Sequence, residues 1–294
     1  MTLNVLISAG TFLIAKSTLR EFPPLVLALV RFVLASAALW PVARFLRPGR
    51  RIAREDRGRI LLLGLLAIPL NQAMFLYGMR WASATHAALL YALTPAFIIL
   101  IAASRGVRPT LRQAGGIALA FTGVLTLLLQ RGLHFDPNSL AGDLLVLGAV
   151  VAWAFYLYLG RDLTRRYGPI LVTAEALIAG TLMFLPVGLV ALWGFDLRTV
   201  STAGWSGVLY LAWLTSGLNY LIFFWGIEHI GPAAVAVWSN LQPPATALMA
   251  WALVREALPA GFLLSAALVL GGVWLAQGAR PDRPSTGRDP SGRA

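Results

Sequence analysis

The sequence predicts an all-α integral membrane protein: ten transmembrane helices forming two inverted five-helix repeats, with both termini cytoplasmic. Three observations carry this expectation. Hydrophobic residues make up 58% of the 294 and charged residues only 12%, about half the ~25% charged share of ordinary soluble domains. Apolar runs of about 20 residues, the length that crosses a bilayer core, recur ten times along the chain. The two halves also resemble each other at an offset near 148 residues. Disorder is excluded by the same composition, since disordered chains are polar and poor in aromatics. The absence of cysteine removes disulfides, thiolate metal sites and cysteine nucleophiles.

The ten apolar segments are 3–19, 23–46, 60–80, 84–104, 110–130, 140–160, 169–194, 204–227, 231–253 and 258–279. They run apolar without strict alternation, so helices rather than barrel strands are predicted. The connections are short and carry Gly, Pro or Arg: Glu21–Pro24, Arg105–Pro109, Gly168–Pro169 and Gly231–Pro232. The first segment lacks a basic start and contains Lys16, and is expected to be a retained helix rather than a cleaved signal peptide. The tail 280–294 is rich in Pro, Gly, Ser and Arg and is expected to be disordered and cytoplasmic.

The net charge of +12 fits this topology. Seven arginines lie between segments two and three: Arg44, Arg47, Arg50, Arg51, Arg54, Arg57 and Arg59. With Arg105, Arg108, Arg112, Arg161, Arg165, Arg166 and four in the tail, 17 of the 24 basic residues fall on one side and five on the other. The positive-inside rule makes the rich side, and both termini, cytoplasmic. Nucleic-acid binding, the other reading of a basic chain, is not expected, because topology accounts for the distribution. Contact of the Arg44–Arg59 loop with anionic lipids is expected. No oligomeric partner is called for, and a monomer is expected.

At an offset of 148, Asn71 meets Asn219, Phe75 meets Phe223, Gly78 meets Gly226 and Pro95 meets Pro243. Earlier in each half the offset is 144 to 145, and Pro24 meets Pro169. The halves are taken as 1–131 and 139–279. Each holds five segments, so the second enters the membrane in the opposite direction. Inverted repeats of this kind typify secondary transporters, whose substrate sites lie near the midplane at the repeat interface. An old duplication in a membrane enzyme or scaffold is the competing explanation.

Ala9-Gly10 with Lys16, then Pro23-Pro24 and Arg31-Phe32, resembles the opening of the drug/metabolite transporter superfamily, EamA family. Trp153-Ala154, Leu241-Gln242-Pro243, Glu256-Ala257-Leu258 and Gly271-Gly272-Val273 continue the likeness to about residue 279. The chain departs from the pattern at Ala9, where a Trp is common, and at Val107-Arg108, where an acidic residue is frequent. The aromatic-rich middle is most similar to exporters of the YddG type. The resemblance implies a bacterial-type inner-membrane protein that exports aromatic or other neutral amino acids, or similar small metabolites, by alternating access.

The residues at mid-helix depth give the candidate site. Asn71, Gln72, Asn219, Asn240 and Gln242 are neutral amides able to donate and accept. Helix–helix glue and substrate contact both fit Asn71 and Asn219, whereas cavity lining is expected of Asn240 and Gln242. Thr94 and Ser239 add hydroxyls. Phe75, Tyr91, Trp153, Tyr156, Tyr220, Phe223 and Trp238 would form an aromatic wall around an apolar substrate body. Pro95 and Pro243 each remove a backbone hydrogen bond, freeing carbonyls at Tyr91 and Ser239, and are candidate hinges as well as candidate packing kinks. Lys16 is expected to snorkel to the interface. Arg31 and Glu175 stand one position out of repeat register, and both are expected to be structural charges. Asp143 and His86 are read as residues of helix starts.

An enzyme needs a nucleophile with a base, or a metal cluster. The three histidines, His86, His134 and His229, are widely spaced, and no metal or cofactor site is expected. A channel would show rings of charge along a pore, which this sequence lacks. A multidrug or nucleotide-sugar substrate remains open within transport, although no basic residue is expected to face the central cavity. No carboxylate is expected on the central path, where proton-coupled carriers usually carry one, so facilitated or weakly coupled export is expected.

Overall fold

A chain this apolar has no water to satisfy its backbone, and helices satisfy it internally. The computed structural model describes residues 1–46, 51–131, 137–230, 235, 238–256, 258 and 260–277, and every regular element among them is helical. The order is α1 Thr2–Thr18, α2 Pro24–Leu46, α3 Arg57–Leu65, α4 Ala73–Trp81, α5 Ala84–Tyr91, α6 Thr94–Ser104 and α7 Leu111–Arg131. It continues with α8 Pro137–Tyr167, α9 Pro169–Trp193, α10 Thr202–Leu209, α11 Asn219–Ile230, α12 Gln242–Val254 and α13 Ala260–Gln277. Six stretches are long and apolar enough to cross a membrane: Pro24–Leu46, Arg54–Trp81, Ala84–Ser104, Asn138–Tyr167, Pro169–Trp193 and Thr202–Phe223. Leu111–Leu127 and Gly261–Gln277 are shorter apolar helices. Residues 231–234 and 236–237 of the ninth expected segment, His134 and the 280–294 tail lie outside the described residues.

Two boundaries differ instructively from the apolar runs. The expected segment 140–160 belongs to a helix of 31 residues, about 46 Å at 1.5 Å per residue, whose polar final turns reach beyond an apolar core. Hydropathy marks only the part that lipid would cover. The α8–α9 turn passes through Gly168 at φ 85°, ψ 146°, a backbone conformation that a side chain would disfavour. It turns the chain back within one residue.

Small residues set the helix crossings. A Cβ on Gly272 of α13 would lie 2.4 Å from the Ala120 nitrogen and 2.5 Å from the Gly116 oxygen of α7. Gly64 of α3 and Gly180 of α9 approach equally closely, as do Gly78 of α4 and Gly142 of α8. Backbones that touch maximise dispersion contact where no hydrophobic effect separates helix from lipid. The outside is apolar as well: Phe45, Val190, Trp193, Trp251, Leu253 and Trp274 are all exposed. An apolar surface of that extent belongs against a bilayer rather than water.

Among the described residues, the ion pairs gather toward the two ends. At the arginine-rich end, Asp56 accepts from Arg166 Nη1 at 2.8 Å and from the Tyr167 hydroxyl at 2.7 Å. Arg59 reaches Asp162 at 3.7 Å, and Arg44 reaches Glu175 at 3.8 Å. Glu175 therefore pairs with Arg44 near the C-terminus of α2, far along that helix from Arg31. At the other end Lys16 donates to the Ala82 carbonyl at the C-terminus of α4. Lys16 caps a helix end there.

Candidate functional site

The central site begins with interrupted helices. Helix α5 stops at Tyr91, and α6 starts at Thr94 with Pro95 in its first turn. The Tyr91 carbonyl accepts instead from the Thr94 hydroxyl at 2.6 Å. A turn at Asn240–Leu241 precedes α12, which opens on Gln242 and Pro243, and Leu241 N closes that turn on the Trp238 carbonyl at 3.0 Å. Broken helices at membrane depth are tolerated only where protein or a wet cavity surrounds them; Leu93 in the first break is fully buried, whereas Leu241 in the second is exposed.

The neighbouring stretches are irregular too. Leu66–Gln72 and Tyr210–Leu218 are π-helical. They overlap when shifted by the 148-residue offset. A π segment misaligns carbonyls and is frequent at functional sites. Here the Leu211 carbonyl accepts from the Ser216 hydroxyl at 3.1 Å and from Arg31 Nε at 3.2 Å.

Arg31 is the centre of the polar network. It is 4% exposed, and it donates from Nη1 to Gln72 Oε1 at 3.0 Å and from Nη2 to Ser216 Oγ at 3.3 Å. Gln72 Nε2 donates in turn to Asn71 Oδ1 at 2.6 Å. Asn71, fully buried, donates to the Tyr91 hydroxyl at 2.9 Å and to the Ala149 carbonyl at 2.7 Å. The expectation of a centre without basic residues is corrected here: Arg31 is hydrogen-bonded directly into the amide group. Sequence depth placed it several residues inside α2, but could not show which side of α2 faced the amides.

Aromatic rings enclose this network. Phe12, Phe75 and Tyr91 form a mutual edge-to-face triad with centroids 5.6–6.0 Å apart. Trp153 stacks on Tyr156 at 4.9 Å and meets Tyr220 at 6.5 Å. Gln72, Tyr91, Trp153 and Tyr220 are half-buried, while Asn71 and Phe75 are buried. The partly exposed members of the cluster are therefore an amide and three large rings.

Other expected site residues lie apart. Asn219 accepts from Asn4 Nδ2 at 2.7 Å and donates to Ser8 Oγ at 2.9 Å, tying α11 to α1. Asn240 donates to Gln277 at the end of α13, at 2.9 Å. Ser239 bonds the Val235 carbonyl at 3.0 Å. Trp238, Gln242 and Phe223 are half-buried, on stretches outside the Arg31–Gln72 network. Sequence reading missed Ser216 and Asn4, although each stands within a few residues of a repeat-matched amide or its partner helix.

Asn71 and Asn219 therefore each bind a neighbouring helix, the glue role. Asn71→Leu removes two cross-helix donors, and each such bond is worth about 0.6 kcal/mol on average, up to about 1.7, in a membrane helix bundle. A loss of about 1–3 kcal/mol in unfolding free energy is expected, read by denaturant titration in detergent. An unchanged midpoint would show the bonds to be energetically idle.

At the end opposite the arginines, side chains from distant parts of the chain meet. His86 Nδ1 lies 3.1 Å from Asp143 Oδ2, with Asp143 fully buried. The Thr85 hydroxyl donates to Glu256. His86 and Asp143, expected as ordinary helix-start residues, thus form a contact between α5 and α8.

A family profile described as the EamA-like transporter family matches residues 1–129 and 140–277. The chain is 28% identical over 277 residues to an uncharacterized transporter, YyaM, of Bacillus subtilis, covering 92% of this chain and 90% of the relative. It is 29% identical over 276 residues to a probable terminal-alkyne amino-acid exporter of Streptantibioticus cattleyicolor, covering 94% and 91%. A solved crystal structure superposes with a TM-score of 0.64 at 19% identity, covering 94% of both chains.

Proposed function

We propose, for a chain that belongs to the EamA-like transporter family and is a multi-pass membrane transporter, that it exports aromatic or other neutral amino acids across a bacterial-type inner membrane. The finer architecture belongs to the same reading. Ten spans form two inverted five-helix repeats, residues 1–131 and 139–279, with both termini cytoplasmic. The arginine-rich end faces the cytoplasm and touches anionic lipids, and the carrier works as a monomer.

One observation carries this reading: the α5–α6 break and two π segments meet at a single cluster of amides and rings. Discontinuous helices at a repeat interface are the usual frame of a midplane site in secondary carriers. The amides orient a polar end and the rings of Trp153, Tyr156 and Tyr220 accept an apolar body. The amino-acid exporter among the relatives supports the substrate class. In the conformation described, the His86–Asp143 and Thr85–Glu256 contacts close the end proposed as extracytoplasmic.

Counterflow in proteoliposomes, across neutral amino acids, nucleotide sugars and cationic drugs, tests the proposal. Exchange of neutral amino acids is expected. Exchange confined to drugs or nucleotide sugars would overturn it. Export is expected to be uncoupled or weakly coupled, so strong accumulation driven by a pH gradient alone would overturn that part.

A further inference from the structure

Arg31 is a buried cation held by neutral acceptors only. Its hydrogen bonds go to the Leu211 carbonyl, the Gln72 amide oxygen and the Ser216 hydroxyl. The carboxylates described elsewhere are engaged at the helix ends: Glu175 with Arg44, Asp56 and Asp162 with Arg59, Asp143 with His86, Glu256 with Thr85 and Glu21 with Ser201. A guanidinium inside a bilayer costs about 2.5–3.5 kcal/mol on insertion scales. A neutral Gln could bond the same three acceptors in part at less cost, so structural bonding alone does not account for the charge.

The orientation of the guanidinium points to a second role. Its Nε/Nη2 edge is anchored on the π segment, through Leu211 and Ser216. Its other end, through Nη1, faces Gln72, which is half-buried and among the partly exposed members of the cluster. The Tyr91 and Tyr220 side chains stand close enough to interact electrostatically with it, and Tyr220 touches Trp153. An anion arriving at Gln72 can replace the Gln72 oxygen on Nη1. The exchange trades a neutral acceptor for a charged one, and charge-assisted bonds are roughly twice as strong. The fork of an arginine matches the two oxygens of a carboxylate.

We propose that Arg31 is the counter-ion for a carboxylate on the substrate, with Gln72 as the acceptor that the carboxylate displaces and the Trp153–Tyr220 pair holding the apolar body. This rests on the amino-acid export reading and narrows it to molecules that carry both a carboxylate and an apolar group. Amines and uncharged amides of the same shape are discriminated against, since they leave the guanidinium without an anion.

The test measures uptake of L-phenylalanine, L-phenylalaninamide and phenethylamine into proteoliposomes. Wild type is expected to prefer phenylalanine at least about tenfold. Arg31→Gln is expected to bring that ratio close to one, and Arg31→Lys to keep part of it. Thermal melting in detergent shows whether each variant folds. Gln72→Glu provides the arm that survives a misfolded Arg31→Gln, because it places a fixed carboxylate on Nη1. It gives up the Gln72 donation to Asn71 in exchange for a charged bond to Arg31, and is expected to remain folded in the same melt and to lose phenylalanine uptake. Phenylalanine uptake with its preference intact in folded Arg31→Gln, or retained in Gln72→Glu, overturns the counter-ion role and leaves the export reading standing. A wild type that transports none of the three, but does transport a drug or a nucleotide sugar, overturns the export reading and this proposal with it.

Discussion

His86→Ala is expected to open the proposed extracytoplasmic end of the bundle, where this side chain joins three helices. The imidazole bonds Asp143 across α5 and α8 at 3.1 Å, and its ring stacks on Phe262 of α13 at 6.0 Å. One side chain thus ties three helices together at this end. A hydrogen bond to a charged or chargeable group is worth about 1.5–3 kcal/mol. Each 1.4 kcal/mol is tenfold in a two-state equilibrium, so the open-to-closed ratio at this end should rise by about ten- to a hundredfold. The chain holds no cysteine, which makes a single engineered thiol a background-free reporter. Ala88, buried on α5 close to the contact, is a suitable position as Ala88→Cys. Labelling by a membrane-impermeant maleimide should accelerate by about the same factor when His86→Ala is added. Net flux should fall, because every transport cycle must pass through the closed state that the variant destabilises. Thr85→Ala, which removes the bond to Glu256 and the local one to Ser83, should act in the same direction and more weakly. If the labelling rate stays at its wild-type value in both variants, these contacts are not the closure.

The same contacts show how far the sequence could be read. Helix positions followed from apolar runs, because a bilayer imposes one length and one backbone solution. Breaks were legible at Pro95 and Pro243, since a missing N–H is written in the residue itself. Partners were not legible. Arg31 and Glu175 stand one position out of repeat register and read only as structural charges; Glu175 turns to Arg44 and Arg31 turns to Gln72. Rotation of α2 about its axis decides those partners, and an apolar helix offers no amphipathic stripe from which to read rotation. Asn240 was placed at the centre by its neighbour Pro243, but its amide finds Gln277 instead. The π segments had the least signature of all. They shift which carbonyl meets which N–H without demanding any residue type, and only Pro69 in the first of them hints at irregularity. What the apolar pattern conveyed was depth, while chemistry at the centre depends on azimuth.

Depth is enough for a sharp expectation about the prolines. Pro95→Ala restores an N–H four residues after the Tyr91 carbonyl, which now accepts only from the Thr94 hydroxyl among its described partners. Alanine in place of proline favours a continuous helix by about 3 kcal/mol. The α5–α6 turn should therefore close into one straight helix, and the melting temperature in detergent should rise. Straightening moves Tyr91, the last residue of α5, relative to Thr94, the first of α6. It thereby pulls at the bond between Tyr91 and Asn71 and at the ring contact between Tyr91 and Phe75. Pro243→Ala should act in the same way at the start of α12, where the turn closed by Leu241 and Trp238 would no longer be required. If both breaks flex during the cycle, each single variant should lose at least about tenfold in transport rate, the cost of about 1.4 kcal/mol on a conformational barrier. The double variant should lose more than either while melting highest of the three. Packing kinks without a hinge role would give the other pattern, a raised melting temperature with transport unchanged. Stability and rate are measured on the same samples, so a gain in one against a loss in the other identifies the breaks as moving parts of the carrier.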